Sequence, residues 1–250
     1  MILYGLIGKN LGHTFSPAYF SEKFKNLKIK ATYRIFELDA VEEVLSIVHE
    51  HENLAGFNVT IPFKKEIIKV LDEVDPVVAV IGSANTVMVI RDGQQVLLNG
   101  YNTDVVGFER SLVPFITGRH ISKALVLGTG GSAAAVSFVL RKLNISHLFV
   151  SRNPGNRETL SYPSLNREII RAHPLIINTS PVGMFPDIKA YPDIPYEFLT
   201  SGHLLYDLIY NPSETVFMKK GKRYGAQVKS GEEMLRLQAD ESWNIWNAGR

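Results

Sequence analysis

Cysteine is absent from the 250 residues, so disulfides and thiolate metal sites are excluded and a reducing compartment, the cytosol, is the expected setting. No apolar run approaches the length that spans a bilayer, and a membrane partner is not expected. There is no basic block: Lys and Arg are spread along a chain of net charge +2, which argues against a nucleic-acid partner. A metal site is equally unsupported. His49 and His51 are two apart in a helical stretch and would face different directions. The apolar opening, Ile2 to Gly8, has neither a basic lead nor a cleavage site, and reads as a first strand rather than a secretion signal.

What remains is an ordinary globular composition, 45% apolar and 21% charged, long enough for two moderate cores. The most informative stretch runs from Lys123 to Val136. An apolar run too short for a helix leads into Gly128-Thr129-Gly130-Gly131-Ser132-Ala133 and then into small helix formers, an order that predicts strand, tight turn and helix. Such a turn aims backbone N–H groups and the positive end of a helix at one point, which suits a pyrophosphate. The spacing is G-x-G-x-x-A, with Ala133 where helix and strand pack closely. The next strand ends at Ser151-Arg152 with no acid until Glu158, so no carboxylate is placed for a ribose hydroxyl. A guanidinium there suits a 2′-phosphate, and NADP is expected over NAD.

Ahead of this stretch, Ser16-Pro17 opens a helix predicted over 18–27. Ser16 fits an N-cap, and with Thr14 it also fits a pair of hydroxyls holding a carboxylate at a helix N-terminus. Asp39 and Glu42 resemble a capping box for a helix over 40–50. A strand over 54–60 is expected to turn at Pro62 into a helix ending near Val74. Ile67, Leu71 and Val74 would be its buried face, with Lys64 at the leading end and Lys65 and Lys69 on the wet side. Asp92-Gly93 predicts a hairpin joining strands 84–90 and 95–99, with Asn85 at the start of the first. Thr103 or Asp104 would cap a helix over 108–113. After residue 102 short strands (145–150, 175–178, 204–209, 226–229) alternate with helices, the pattern of a doubly wound parallel sheet. A last helix, 232–246, turns Met234, Leu235, Ser242, Ile245 and Trp246 inward with Gln238 in the same stripe, and is expected to fold back onto the first domain.

Together these stretches resemble the shikimate dehydrogenase family over essentially the whole chain. The carriers are His13-Thr-Phe-Ser16-Pro17, Asn58-Val-Thr60-Ile-Pro62-Phe-Lys64, Ala84-Asn85-Thr86, Asn102-Thr103-Asp104 and Leu127-Gly-Thr-Gly-Gly131. Further on come Asn178-Thr-Ser180-Pro-Val-Gly183-Met184, Asp207-Leu-Ile-Tyr210-Asn-Pro212 and Met234-Leu-Arg-Leu-Gln238-Ala239. The resemblance implies an α/β protein. An N-terminal α/β substrate domain (1–102 with 231–250) would be joined to a Rossmann-type doubly wound parallel-sheet cofactor domain (103–230). It implies Lys64 and Asp104 as the catalytic pair, and Thr14 and Ser16 on the substrate carboxylate. Thr60, Asn85, Asp104 and Gln238 would meet its ring hydroxyls, and Tyr210 would line the site. The dinucleotide would meet Gly128 to Ala133, Ser151, Arg152, Leu208 and Gly231.

The reaction so implied is reversible, NADPH-dependent reduction of 3-dehydroshikimate to shikimate in chorismate biosynthesis, by a cytoplasmic monomer or homodimer whose partner is its small-molecule substrate. Departures from the family pattern are Thr14 for a usual Ser, Tyr101 and Val105 around Asn-Thr-Asp, and Ser151 for Asn, with no second basic residue until Arg157. The segment 153–174 is short, with one helix fewer expected on a sheet face. A quinate/shikimate dehydrogenase preferring NAD is therefore the alternative. A non-catalytic NADP(H)-sensing module is the third reading, opposed by the presence of Lys64, Asp104 and Gln238.

Overall fold

The computed structural model describes residues 1–9, 11–12, 14–93, 95–155 and 159–248, so His13, Arg157 and Glu158 lie outside the described residues. The chain divides into two compact units, residues 1–103 with 239–250, and residues 104–238.

The first unit is built on β1 (Ile2–Gly8), α1 (Ser16–Asn26), β2 (Ala31–Glu37), α2 (Glu43–Glu50), β3 (Leu54–Val59), β4 (Glu73–Val74), α3 (Pro76–Ile81), β5 (Thr86–Asp92) and β6 (Gln95–Tyr101). Its sheet runs β2-β1-β3-β5-β6-β4, parallel at β2/β1/β3 and antiparallel at β3/β5/β6. Side chains alternate across a strand, so β1 feeds two cores. Leu3 and Ile7 join Val44, Phe57, Ile67 and Val87 on one face, while Tyr4 and Leu6 join Phe20, Phe24 and Trp246 on the other. The hairpin forms as its Asp-Gly predicts, with Gly93 at φ +58°.

The second unit contains α4 (Thr103–Ile116, whose first residue belongs to the first unit), β7 (Lys123–Leu127), α5 (Gly131–Lys142), β8 (Ser146–Ser151) and β9 (Thr159–Ser161). After them come α6 (Arg167–Ala172), β10 (Leu175–Asn178), β11 (Leu204–Asp207), α7 (Val216–Arg223), β12 (Gln227–Lys229) and α8 (Glu232–Asn247). The sheet order is β12-β11-β10-β7-β8-β9, all parallel, as the alternation of short apolar strands and helices predicts. Between β8 and β9 no helix appears among the described residues, and α6 alone precedes β10. The C-terminal half of α8 packs in the first unit, where Trp246 stacks on Tyr4 at 4.7 Å and donates Nε1–H to Val87 O at 3.0 Å.

Four local expectations are corrected. Ser16 does not cap α1: it is the first helical residue, Phe15 precedes it, and no side chain caps the helix. The Asp39 capping box does not form. Instead Glu43 Oε1 accepts from the backbone of Asp39 (3.0 Å) and Ala40 (2.7 Å), and α2 starts at Glu43. The helix expected to end near Val74 is a turn, a 3₁₀ segment over Glu66–Val70, and the strand β4. Pairing with β6 wins over the apolar periodicity: Asp72 N–H bonds Leu98 O and Asp75 N–H bonds Gly100 O. Leu71 packs where a side chain on Gly100 would sit, and Val74 is left exposed. Finally, α4 extends to Ile116 through Pro114, and neither Thr103 nor Asp104 is a cap outside it, both lying in its first turn.

Candidate active site

In the first unit the expected residues sit at the C-terminal ends of β1 and β3 and the start of β5. Thr14, just ahead of α1, is half-buried, and its Oγ1 is buried without a hydrogen-bond partner. Ser16 starts α1, and its hydroxyl bonds the phenol of Tyr33. Burial holds that phenol well above its usual range. Thr60 continues β3: its N–H bonds Ile7 O at 2.9 Å, and its Cγ2 occupies the space that a Cβ on Gly8 would need.

Lys64 follows the Ile61–Pro62 turn and is half-buried, whereas Lys65 and Lys69 are exposed. Its carbonyl accepts from Ala84 N–H at 2.8 Å, which fastens the lysine turn to the segment carrying Asn85. Asn85 is buried, and its Oδ1 accepts from Thr103 N–H at 2.7 Å. A side chain 18 residues upstream thus satisfies one of the orphan donors at the start of α4. These bonds bring the Lys64, Asn85 and Thr103 segments together within the first unit, and Asp104 is the next residue in the chain.

In the second unit Asp104 is buried in the first turn of α4. Gln238 is half-buried on α8, with Nε2 donating to Leu235 O at 3.0 Å in its own helix. Gly107 explains how α8 approaches α4. A Cβ there would lie 2.7 Å from Met234 O and 3.0 Å from Gln238 Cβ, so only glycine admits the turn that carries Gln238.

The glycine turn follows β7 as predicted. Gly128 has φ +116°, its N–H bonds Val150 O at 2.8 Å, and a Cβ would lie 2.8 Å from Thr179 Oγ1. Gly130 precedes α5 with no side-chain cap, and Ala133 is buried against the sheet. Thr129 and Gly130 are exposed, and Gly131 and Ser132 are half-buried. An uncapped N-terminus of a 12-residue helix, faced by exposed glycine backbone, has the donor set an anion needs.

At the end of β8, Ser151 Oγ accepts from Asn153 N–H at 3.3 Å, and Arg152 is exposed, its charge felt by Tyr162. At the end of β11, Leu208 and Tyr210 are half-buried. Gly231 packs on Leu208, whose carbonyl oxygen is 2.0 Å from where a Cβ would sit. No group of acids or histidines that could hold a metal occurs among the described residues.

Sequence reading missed the groups that organise these ends. Asp207 is fully buried: its Oδ1 accepts from Asn178 Nδ2 (3.0 Å) and Ile209 N–H (3.1 Å), and its Oδ2 from Thr215 Oγ1 (2.6 Å). Asn178 in turn accepts from Ser180 N–H at 3.1 Å, so one carboxyl fixes the turns after β10 and β11. Burial pushes its pKa up to about 6, against the lowering effect of its three donors. In the first unit Tyr33, Asn58, Thr86 and Ser242 form a buried hydrogen-bonded set with Asn85 and Thr103. The signal for them was present in motifs noted above, Asn58-Val-Thr60 and Asn85-Thr86, but Ser242 read only as an inward helix position.

Residues 6–87 match the family described as the shikimate dehydrogenase substrate binding domain. The shikimate dehydrogenase (NADP(+)) of Methanococcus maripaludis is 40% identical over 98% of this chain and 91% of its own. That of Methanococcus vannielii is 37% identical over the same shares. Among solved structures, a shikimate dehydrogenase in complex with NADP+ superposes with a TM-score of 0.85 at 31% identity, covering 99% of this chain and 90% of that one. Shikimate 5-dehydrogenase of Thermus thermophilus, in complex with NADP(H) and shikimate, gives 0.84 at 28% identity over 99% and 94%. With such identity sustained from end to end, the chain belongs to the shikimate dehydrogenase family.

Proposed function

We propose that the protein is an NADP-dependent shikimate dehydrogenase, reducing 3-dehydroshikimate to shikimate reversibly in chorismate biosynthesis. The observation that carries this reading is near-full-length relatedness to shikimate dehydrogenases (NADP(+)) in a chain that carries Lys64, Asn85, Asp104 and Gln238.

Lys64 and Asp104 are the catalytic pair. When bound, NADPH supplies the hydride. As the ketone carbon is reduced, negative charge develops on its oxygen; the Lys64 ammonium stabilises that charge and delivers a proton to the oxygen. Asp104, buried in the first turn of α4, is the other member of the pair. The unpartnered Thr14 hydroxyl, with Ser16 and the uncapped start of α1, receives the substrate carboxylate. Thr60, Asn85, Asp104 and Gln238 address the ring hydroxyls, and Tyr210 lines the site.

The backbone from Gly128 to Ala133 takes the pyrophosphate, Ser151 and Arg152 the 2′-phosphate, and Leu208 and Gly231 the nicotinamide end. The substrate domain is residues 1–102 with 231–250, and the cofactor domain residues 103–230. The enzyme acts in the cytoplasm as a monomer or homodimer. No helix among the described residues is long and apolar enough to cross a membrane.

The test is the appearance of reduced-nicotinamide absorbance with each acid and each cofactor. Shikimate with NADP+ is expected to give the highest kcat/KM. A preference for quinate with NAD+ overturns the assignment in favour of the related activity, and no turnover with either acid removes the enzyme.

A further inference from the structure

The first unit encloses an uncharged polar set whose direction can be worked out from what each atom is able to donate. Tyr33 Oη donates to Asn58 Oδ1 at 2.9 Å. With its oxygen so engaged, the Asn58 amide gives its N–H groups to Ser242 Oγ (2.9 Å) and Thr86 Oγ1 (3.1 Å). Ser242 Oγ lies 2.8 Å from Thr86 Oγ1 and 3.2 Å from Thr103 Oγ1. The set ends on Asn85 Oδ1, an atom that only accepts. It takes Thr103 N–H at 2.7 Å, Thr103 Oγ1 at 3.2 Å and Thr86 Oγ1 at 3.3 Å. The opposite amide orientation would set an NH2 group against the Thr103 N–H, so the donors fix the flip. The hydroxyls of Thr86 and Thr103 both donate to Asn85 Oδ1, and Ser242 Oγ sits between those two hydroxyls.

Ser242 is the junction of this set, and it is an unexpected residue for its place. It is fully buried in a helix, where the neighbouring Ala239, also fully buried, shows the apolar choice. A hydroxyl there costs desolvation unless it is bonded, and this one is bonded to Asn58, Thr86 and Thr103.

We propose that Ser242 is a positioning residue for substrate recognition. From the C-terminal helix it holds Thr86 and Thr103 against Asn85 Oδ1. Asn85 is thereby locked with its oxygen turned into the protein and its N–H groups as the donors for a ring hydroxyl oxygen. This rests on the proposed function, since Asn85 is taken there as a substrate contact. A neutral contact of that kind holds ground state and transition state alike, so its loosening moves KM rather than kcat.

The experiment begins with wild-type shikimate oxidation. Its absence removes the proposed function itself, whatever the variants do. Given wild-type turnover, Ser242→Ala is expected to raise KM for shikimate about tenfold, the order of one well-placed hydrogen bond, with kcat within about twofold and KM for NADP+ unchanged. In an Asn85→Ala background the same change should add nothing, because Ser242 acts through that amide. Should the alanine variant fail to fold, Ser242→Cys fills the same space with a thiol that bonds poorly, and must give the same KM shift. An unchanged KM for shikimate in the folded variant overturns the proposal. So does an equal rise in the Asn85→Ala background, or an equal rise in KM for NADP+.

Discussion

The two units bury polar groups in different ways. In the first, the buried polar side chains among the described residues are neutral: Asn58, Ser83, Asn85, Thr86, Asn102, Thr103 and Ser242. In the second, two carboxyls are buried, Asp104 in the first turn of α4 and Asp207 under the turns after β10 and β11, and the surface expected to meet a pyrophosphate is backbone, the glycine turn before α5. The contrast follows from what each surface has to recognise. A ring bearing several hydroxyls calls for side chains fixed in orientation, and a neutral network does this without burying charge. A pyrophosphate calls for N–H groups and a helix end, which glycines provide when the loops around them are held still.

The sharpest break of this comparison is Lys64→Ala. If Lys64 supplies the proton, kcat should fall about a thousandfold, within the range for a lost general acid, while KM for NADP+ and Tm stay near wild type. Lys64 is only half-buried and its carbonyl, which meets Ala84, is retained in the variant, so folding should survive. Turnover near the wild-type rate removes Lys64 from its role.

Asp207→Asn tests the other side. The carboxyl has a folded pKa of about 6 against an ordinary value of 3.8. Between those values the folded state keeps a proton that the unfolded state has lost. Stability contributed by this group therefore falls as pH rises from 3.8 to about 6, and above that range the cost is complete. That difference corresponds to ~3 kcal/mol. Asparagine still accepts from Asn178 and Ile209 through its oxygen and carries no charge. Tm of the variant relative to wild type should therefore rise between pH 4 and pH 6 and level off above. A constant difference across that range would mean that Asp207 does not titrate there.

The same contrast explains what could be read from sequence. The glycine turn is local: strand, turn and helix lie within Lys123 to Val136, and each is visible in residue type. The parallel sheet of the second unit was legible for the same reason, as was the hairpin at Asp92-Gly93. The first unit defeats local reading where partners are distant. The stretch 66–74 has helical periodicity and becomes a 3₁₀ turn and a strand, because its partner is β6, some 25 residues on. Glu43 bonds backward to Asp39 and Ala40, whereas the local pattern predicts a forward cap from Asp39. Asn85 caps a helix that starts 18 residues later, and Ser242 meets Asn58 across 184 residues. The resemblance named the side chains proposed to face a ligand, but the residues behind them carry no local signature.

Arg152→Ala gives the smallest expected effect and bears on whether the second unit binds with backbone alone. Arg152 is exposed at the end of β8, so solvent weakens any pairing it makes, and the loss should be modest. KM for NADP+ is expected to rise about tenfold, ~1.4 kcal/mol, and that for NAD+ to stay unchanged, because only the former carries the 2′-phosphate. The NADP+ preference of the wild type should also shrink as salt is added. If the variant binds both dinucleotides as the wild type does, Arg152 is a surface cation. The glycine turn would then be the whole of the recognised surface, and selectivity for NADP would have to come from the shape of the turn after β8.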